Sequence, residues 1–497
     1  MDHSDLPVVV VGAGPIGLAA AVHLLNRGET PLVLEAGLTV GASIAAWAHV
    51  RVFSPWEFNV DPASTALLDS HGWVAPPAGD FPTGRDLLDV YLKPLAALPE
   101  IAPHLRLGTR VTGVARQGHS RISTAGRESA PFVVRFVSAE GEDEVLAKAV
   151  IDASGTYATP NPLGASGLPA VGERAHQERI FYGIPDVLGA RRARYAGRRV
   201  LVAGSGHSAF NTLLDLVQLA EVAPGTTITW VNRRAKVGNL FGGGETDQLP
   251  ERGKLGARLK ALVSRQALTM ITGFRTTRIK ATPSGLVVSD AVRDLSPVDE
   301  IVVATGLRPD LAMLRELRLS VDEIVESPVA LAPLIDPNVH SCGSVPPHGA
   351  EELKHPEQDF FMVGMKSYGR APTFLLRTGY EQVRSVVLAL TGDWEAARQI
   401  ELVLPETGVC SSNRGEADDD GDALACCSPA AVTAGTAAQE SSCCGPAAEA
   451  AGKAACCSPA PNAVSVNLSF ANGRPGGAQT LELLPVVKSG SSSSCCG

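Results

Sequence analysis

A chain of 497 residues with 45% hydrophobic content is long enough for about two to four domains with sizeable cores. Its formal net charge of −9 gives no electrostatic reason to expect nucleic acid or an anionic membrane as partner. No run reaches the ~18 apolar residues a membrane helix requires, and Asp2 and Asp5 stand where a secretory signal would be basic, so a cytoplasmic address is expected.

Val8 to Val11 is a buried-strand run that enters Gly12-Ala13-Gly14-Pro15-Ile16-Gly17, and a helical pattern follows through Asn26 until Gly28 ends it. Pro31 to Glu35 reads as the next strand. Strand, tight glycine turn, helix N-terminus for a pyrophosphate and an acid for a ribose hydroxyl complete a dinucleotide fingerprint, against the alternative of a chance glycine-rich turn. Gly12, Gly14, Gly17 and Glu35 are its candidate binding residues. Between Leu105 and Lys148, stretches such as Phe132 to Val137 alternate with polar turns and predict a small antiparallel meander. Val150-Ile151-Asp152-Ala153-Ser154-Gly155 then closes the unit as an apolar strand ending in small residues, which let backbone approach a nucleotide closely.

The pattern recurs. Arg199 to Ala203 leads into Gly204-Ser205-Gly206-His207-Ser208-Ala209, a helix runs to Ala220, and Thr227 to Asn232 is the following strand. Ala209 is permitted at the third glycine position, so Gly204, Gly206 and Ala209 form a second candidate turn. The strand ends in Asn232-Arg233-Arg234 with no acid. An arginine pair there suits a 2′-phosphate and favours NADPH over NADH; a solvated surface pair is the alternative. Ile301-Val302-Val303-Ala304-Thr305-Gly306 closes the second unit as Val150 to Gly155 closes the first, and Gly155 and Gly306 are candidate nucleotide contacts unless both segments are ordinary strand exits.

From about Pro405 the composition shifts to Ala, Gly, Ser, Pro and Cys, which predicts a disordered low-complexity tail. Val464, Val466, Leu468 and Phe470 alternate before Asn472-Gly473, leaving room for one short hairpin. Eight of the ten cysteines form four adjacent pairs, Cys426-Cys427, Cys443-Cys444, Cys456-Cys457 and Cys495-Cys496. Neighbouring Cα atoms lie about 3.8 Å apart, below the usual ~4.4 to 6.8 Å disulfide window. Such pairs are poor staples, whereas paired thiolates suit a soft metal or metalloid.

With two fingerprints, two closing segments and the later Phe361-Met362-Val363-Gly364, residues 5 to about 400 resemble the flavin-containing monooxygenase branch of the two-dinucleotide-binding-domain flavoproteins. The resemblance implies an α/β fold with two Rossmann-like domains, FAD on the first turn and NADPH on the second. The FAD domain would be split into residues 1–165 and 332–404 around an NADPH domain of residues 166–331, with residues 405–497 as the tail. In the same way Ser43 and Trp47 would lie near the flavin, as would the turn at Gly364. Two family marks are missing: Phe181-Tyr182-Gly183 is followed by Val187 where the family has histidine, and Gly364 is followed by Met365 where the family has the aspartate that holds the ribityl chain. Gly364-Met365-Lys366-Ser367-Tyr368-Gly369-Arg370 and the cysteine tail together resemble the flavoproteins of bacterial arsenic-resistance operons.

Lys366, Tyr368 and Arg370 are candidate catalytic residues, because a cation near the ring stabilises reduced, anionic flavin; a basic surface loop is the alternative. His49, Arg51 and Trp56 border the flavin or substrate pocket unless Trp47 and Trp56 pack the core. His340, Cys342, His348 and His355 lie close in sequence but match no zinc spacing. Ser494-Cys495-Cys496-Gly497 resembles the terminal pair of mercuric reductase, yet that enzyme's redox-active pair has no counterpart in the body, where Cys342 stands alone. This points to an NADPH- and FAD-dependent, monooxygenase-like oxidoreductase using dioxygen on a small molecule or metalloid, such as a trivalent arsenical. Two other readings stay open: a reductase passing electrons from FAD through the tail cysteines to a metal ion or disulfide, and a non-catalytic nucleotide-binding scaffold with a metal-sequestering tail.

Overall fold

The computed structural model describes residues 3–236, 240–241, 250–338, 345–372 and 374–402. The chain divides into a unit of residues 1–419 and one of residues 420–497, and all described residues belong to the first. His340, Cys342, the four cysteine pairs and the segment from Val464 to Gly473 lie outside the described residues.

In chain order the first part runs β1 (Val8–Val11), α1 (Pro15–Asn26), β2 (Pro31–Leu34), α2 (Pro62–Ser70), β3 (Leu105–Arg106), β4 (Arg110–Arg116), β5 (Phe132–Ser138), β6 (Gly141–Ala147) and β7 (Ala149–Asp152). A second part follows with β8 (Ile180–Tyr182), β9 (Arg199–Ala203), α3 (His207–Val222), β10 (Thr227–Val231), α4 (Pro250–Ser264), β11 (Thr269–Ile271), β12 (Arg278–Thr282), β13 (Gly285–Ser289) and β14 (Glu300–Val303). β15 (Phe360–Met362) and α5 (Leu376–Leu390) follow, and a short helix over Trp394–Arg398 comes after them.

Two five-stranded sheets result, β15-β7-β1-β2-β3 and β11-β10-β9-β14-β8, and every pairing in both is parallel. The first sheet recruits β15 from beyond β14, so the chain leaves it, builds the second sheet and returns. Parallel strands are covered on both faces and read as continuous apolar runs. Val8 and Val10 face α1 and α5, where Leu18, Ala19, Val383 and Val386 share their core, while Val9 and Val11 pack with Phe132, Val134 and Phe136 of the antiparallel meander β4-β5-β6. The second sheet repeats this: Val200 and Val202 pack with Phe210, Leu213 and Trp230, while Leu201 and Ala203 pack with Ile279, Leu286 and Val288 of the β12-β13 hairpin. The period-two alternation of each central strand thus specifies a helix layer on one side and a small antiparallel layer on the other.

α1 starts with Pro15 at its first position and ends against Gly28, whose φ of 74° is the left-handed stop. Ala19, Ala20 and Ala21 are fully buried in it, which lets the helix lie close to the sheet. A buried charge cluster ties the meander to the chain entering β15: Arg116 Nε and Arg127 Nη2 each lie 2.8 Å from the Glu357 carboxylate, and Arg318 N–H donates to it at 2.9 Å. No described helix is long and apolar enough to cross a membrane.

Candidate functional site

In open parallel sheets ligands sit beyond the C-terminal strand ends, at the point where strand order reverses. Here those points lie between β1 and β7 and between β9 and β14. At the first, Gly12 has φ 100°, and a Cβ there would fall 2.9 Å from Ala153 O and 3.1 Å from Ser154 Cα. A Cβ on Gly17 would fall 1.9 Å from Gly12 O, so only glycine lets helix and turn approach this closely. Gly14 differs: it caps α1 in an extended conformation with no atom within 4 Å of its Cβ position, and no side chain caps the helix. The first turn of α1 therefore presents N–H groups to open space, which fits a pyrophosphate. Glu35, just past β2, brackets the turn by accepting from Ala13 N and Gly37 N, each at 2.7 Å.

The second turn is built on the same plan. Gly204 has φ 136° and its Cβ position lies 2.2 Å from Ala304 O; Gly206 caps α3 with nothing within 4 Å; Ala209 is fully buried at the third position. Trp230 Nε1 donates to Gly204 O at 2.7 Å and braces the turn from the core. Leu34 pairs with Val11 and Val231 with Ala203, the last residues of β1 and β9, so Asn232 stands where Glu35 stands in the first unit. Asn232 is buried, Arg234 is half-buried, and Arg233 is exposed with Nη1 3.4 Å from Ala165 O. A neutral amide followed by two guanidinium groups has no carboxylate to repel a 2′-phosphate.

Gly155 and Gly306 take left-handed turns after β7 and β14, with φ of 69° and 94°. Gly41 N–H donates to Ala13 O at 2.9 Å and docks the 41–47 segment on the first turn, leaving Ser43 exposed and Trp47 half-buried against Gly84. Trp56 is a core residue, and Arg51 is exposed and donates to Phe81 O at 2.7 Å. His49 is half-buried beside Pro185 and Asp186, and burial holds its pKa below the ordinary value. Phe53 reaches from the same segment to His207, the first residue of α3, with ring centroids 5.2 Å apart. Val187, at the position where the family has histidine, is fully buried in the second core.

The three candidate catalytic residues do not share one face. Lys366 is fully buried, 2.6 Å from Asp152 Oδ2 as an ion pair, and donates its hydrogen bond to Ser154 Oγ at 3.0 Å. Its charge is therefore offset by Asp152. Tyr368 is fully buried between Phe374 and His348, with centroids at 5.2 and 5.6 Å, and burial drives its pKa far above the usual phenol value. Arg370 is exposed and held through its backbone N–H on Val325 O at 2.7 Å. The physical reason is the tight turn beginning at Gly364, which has φ 67° against Ile16 and sends Lys366 and Tyr368 inward.

That turn is held by Gln382, which the sequence did not single out, and through it by His348. Gly364 N–H donates to Gln382 Oε1 at 2.7 Å, which orients the amide so that Nε2 donates to His348 Nε2 at 3.0 Å. His348 then carries its proton on Nδ1, 3.0 Å from Pro346 O, and its burial favours the neutral ring. Half-buried His355 accepts from Ser320 N–H at 3.2 Å, its pKa lowered to about 4 by desolvation. With both histidines engaged elsewhere, no group of three metal-ligating side chains occurs among the described residues. A cleft of about 700 Å³ lined by Thr159, Pro160, Tyr182, Arg308 and Glu326 follows the two crossovers between the sheets, and no glycine of either phosphate turn lines it.

The chain is 27% identical over 334 residues to a ferredoxin–NADP reductase of Salinispora tropica, covering 66% of this chain and 82% of that protein. It is 26% identical over 230 residues to the indole-3-pyruvate monooxygenase YUCCA6 of Arabidopsis thaliana, covering 42% of this chain and 44% of the other. Among solved structures, the bacillithiol disulfide reductase of Bacillus cereus superposes with a TM-score of 0.56 at 20% identity, over 78% of this chain and 99% of that one, a likeness of fold. Residues 9–330 match the pyridine nucleotide-disulphide oxidoreductases. With both phosphate turns fitting a dinucleotide, the chain belongs to that family, as a two-dinucleotide flavoprotein oxidoreductase that uses FAD and NADP(H).

Proposed function

We propose an NADPH-dependent, monooxygenase-like flavoenzyme that acts on thiophilic metalloids such as trivalent arsenicals. The observation that carries the oxygen reading is the pair of congruent phosphate turns in a body without a cysteine pair: residues 1–402 hold Cys342 alone and so supply no dithiol of their own. In this reading residues 1–165 and 332–404 form the FAD domain around an NADPH domain of residues 166–331, an order supported by the return of β15 to the first sheet. The N-terminus of α1 holds the FAD pyrophosphate and Glu35 accepts from its ribose; Gly206 and α3 hold the NADPH pyrophosphate, and Arg233 and Arg234 its 2′-phosphate. Bound flavin supplies the two-electron chemistry between NADPH and dioxygen. One oxygen atom goes to the substrate and the other leaves as water, with NADPH and a proton consumed. The four tail pairs, as soft thiolates on a tether, raise the local concentration of metalloid.

The test is NADPH oxidation by purified protein with and without arsenite, run aerobically and anaerobically. Arsenite-stimulated oxidation that requires oxygen and yields the oxidised metalloid supports the reading; an NADPH oxidation unaffected by arsenite overturns its substrate. A second reading, an electron-transfer reductase, is favoured by the ferredoxin–NADP reductase similarity, which spans 82% of that relative against 44% of the monooxygenase. It predicts anaerobic NADPH oxidation that is sustained by an added one-electron acceptor and indifferent to oxygen.

A further inference from the structure

The family aspartate after the last strand of the first sheet is replaced here by Met365, while a buried ion pair stands next to it. Asp152 ends β7, Lys366 follows β15, the two strands are neighbours, and both side chains are fully buried. They converge on Ser154, an exposed residue. Ser154 Oγ lies 2.6 Å from Asp152 Oδ1 and 3.0 Å from Lys366 Nζ. An ionised carboxylate only accepts and an ammonium only donates, so the directions are forced: the serine proton goes to Asp152, and one serine lone pair receives Lys366. A single lone pair remains. Backbone contact puts this hydroxyl beside the first turn, since Ser154 Cα is 3.1 Å from the Gly12 Cβ position, and the Gly155 turn beyond it has no atom within 4 Å of its own Cβ position.

We propose that Asp152 and Lys366 are positioning residues that fix Ser154 as an acceptor for a ribityl hydroxyl of FAD, taking over from the absent aspartate. The inference rests on FAD occupying the first turn. A phosphate oxygen carries no proton and cannot use the remaining lone pair, whereas a sugar hydroxyl can. Of the two sugar parts of FAD, the adenosine ribose is already served by Glu35 on the far side of β1, across from β7. The ribityl chain is left for Ser154. Because Asp152 and Lys366 come from the two separated stretches of the first sheet, the same pair makes cofactor affinity depend on β15 being docked.

The test uses full-length apoprotein titrated with FAD by flavin fluorescence, with ADP as a competitor that keeps the ribose and lacks the ribityl chain. Ser154→Ala takes a hydrogen bond from each member of the buried pair, so the melting temperature without FAD falls; FAD affinity falls about tenfold, and ADP affinity, the readout a merely structural role would also move, is unchanged. Lys366→Met alone strands a buried carboxylate and can impair folding; the paired change Asp152→Leu with Lys366→Met leaves no unpaired charge. In that double variant FAD affinity falls as in Ser154→Ala, and adding Ser154→Ala costs nothing more. Unchanged FAD affinity in Ser154→Ala, an equal loss for ADP, or full additivity of the three changes each overturns the proposal. Wild-type protein that binds ADP but not FAD would instead refute the cofactor assignment beneath it.

Discussion

Replacing Gly14 by Ala separates the cost of a ligand clash from the cost of a damaged fold. Gly14 has φ −78°, which any residue adopts, and its Cβ position has no neighbour within 4 Å. In the apoprotein the change is close to neutral: reduced chain freedom in the unfolded state contributes about 0.4 to 1 kcal/mol of stability, against a small loss at a helix cap where glycine is preferred to alanine. With FAD bound, the methyl group enters the space into which the first N–H groups of α1 point. Displacing the pyrophosphate from two charge-assisted hydrogen bonds at about 1.5 to 3 kcal/mol each removes at least about 3 kcal/mol, or more than about 100-fold in affinity. Gly17→Ala is the contrasting variant, because its Cβ would fall 1.9 Å from Gly12 O and the apoprotein itself would be destabilised. The assay is a melting curve without FAD beside a fluorescence titration with FAD. Wild-type FAD affinity in Gly14→Ala would falsify the placement of the pyrophosphate at α1.

Replacing Arg233 and Arg234 together by alanine lowers the preference for NADPH over NADH by about tenfold or more while FAD stays bound; an unchanged ratio of kcat/KM values for the two coenzymes would put both arginines outside the site. Asp215 on α3 is pushed up to about 6 by burial first and by the Asp186 carboxylate second, against the opposing Arg258. A carboxyl whose folded pKa is raised binds more protons folded than unfolded between about pH 4 and 6, so stability falls as pH rises through that window. Asp215→Asn therefore leaves the melting temperature unchanged near pH 4 and raises it above pH 6, by about 1 to 3 kcal/mol in stability; a gain at acid pH alone would contradict this. Removing residues 405–497 leaves FAD binding and NADPH oxidation in place, since the described fold is closed by Glu401 N–H on Glu381 Oε1 at 2.9 Å and by buried Leu402. High-capacity arsenite binding, measured by thiol titration, disappears with the tail, and a truncation that stops flavin reduction would show the tail to be part of the working fold.

Both strand–glycine turn–helix units were legible because their signal is local: an apolar strand, spaced glycines and a helix start occupy fewer than about 20 consecutive residues. The meander was legible for the same reason, Phe132 to Ser138 alternating cleanly between core and surface. The edge strands β8 and β15 were not, because three residues carry too little periodicity to separate from a loop. The environment of Lys366 was harder still. A lysine among glycines and serines reads as a solvated loop residue, and its counter-charge Asp152 lies on a strand more than 200 positions earlier. What could have raised the question is Asp152 itself, an acid closing an otherwise apolar four-residue strand buried throughout.

The two five-stranded sheets share one strand plan, so in the proposed reading the assignment of nucleotides to them turns on single positions. Glu35 and Asn232 follow equivalent residues of equivalent strands. A 2′-phosphate brought within about 4 Å of the Glu35 carboxylate would meet repulsion of about 1 kcal/mol per unit charge in water and about 4 kcal/mol at the effective dielectric of a protein surface. At Asn232 that term vanishes, and Arg233 and Arg234 reverse its sign. Exchanging the chemistry at these two positions, with Glu35→Asn in one variant and Asn232→Glu in another, would therefore lower discrimination at each turn without touching the glycines that build it. In the proposed reading the fold supplies two phosphate cradles of one plan, and a carboxylate at one and its absence at the other would separate the two nucleotides.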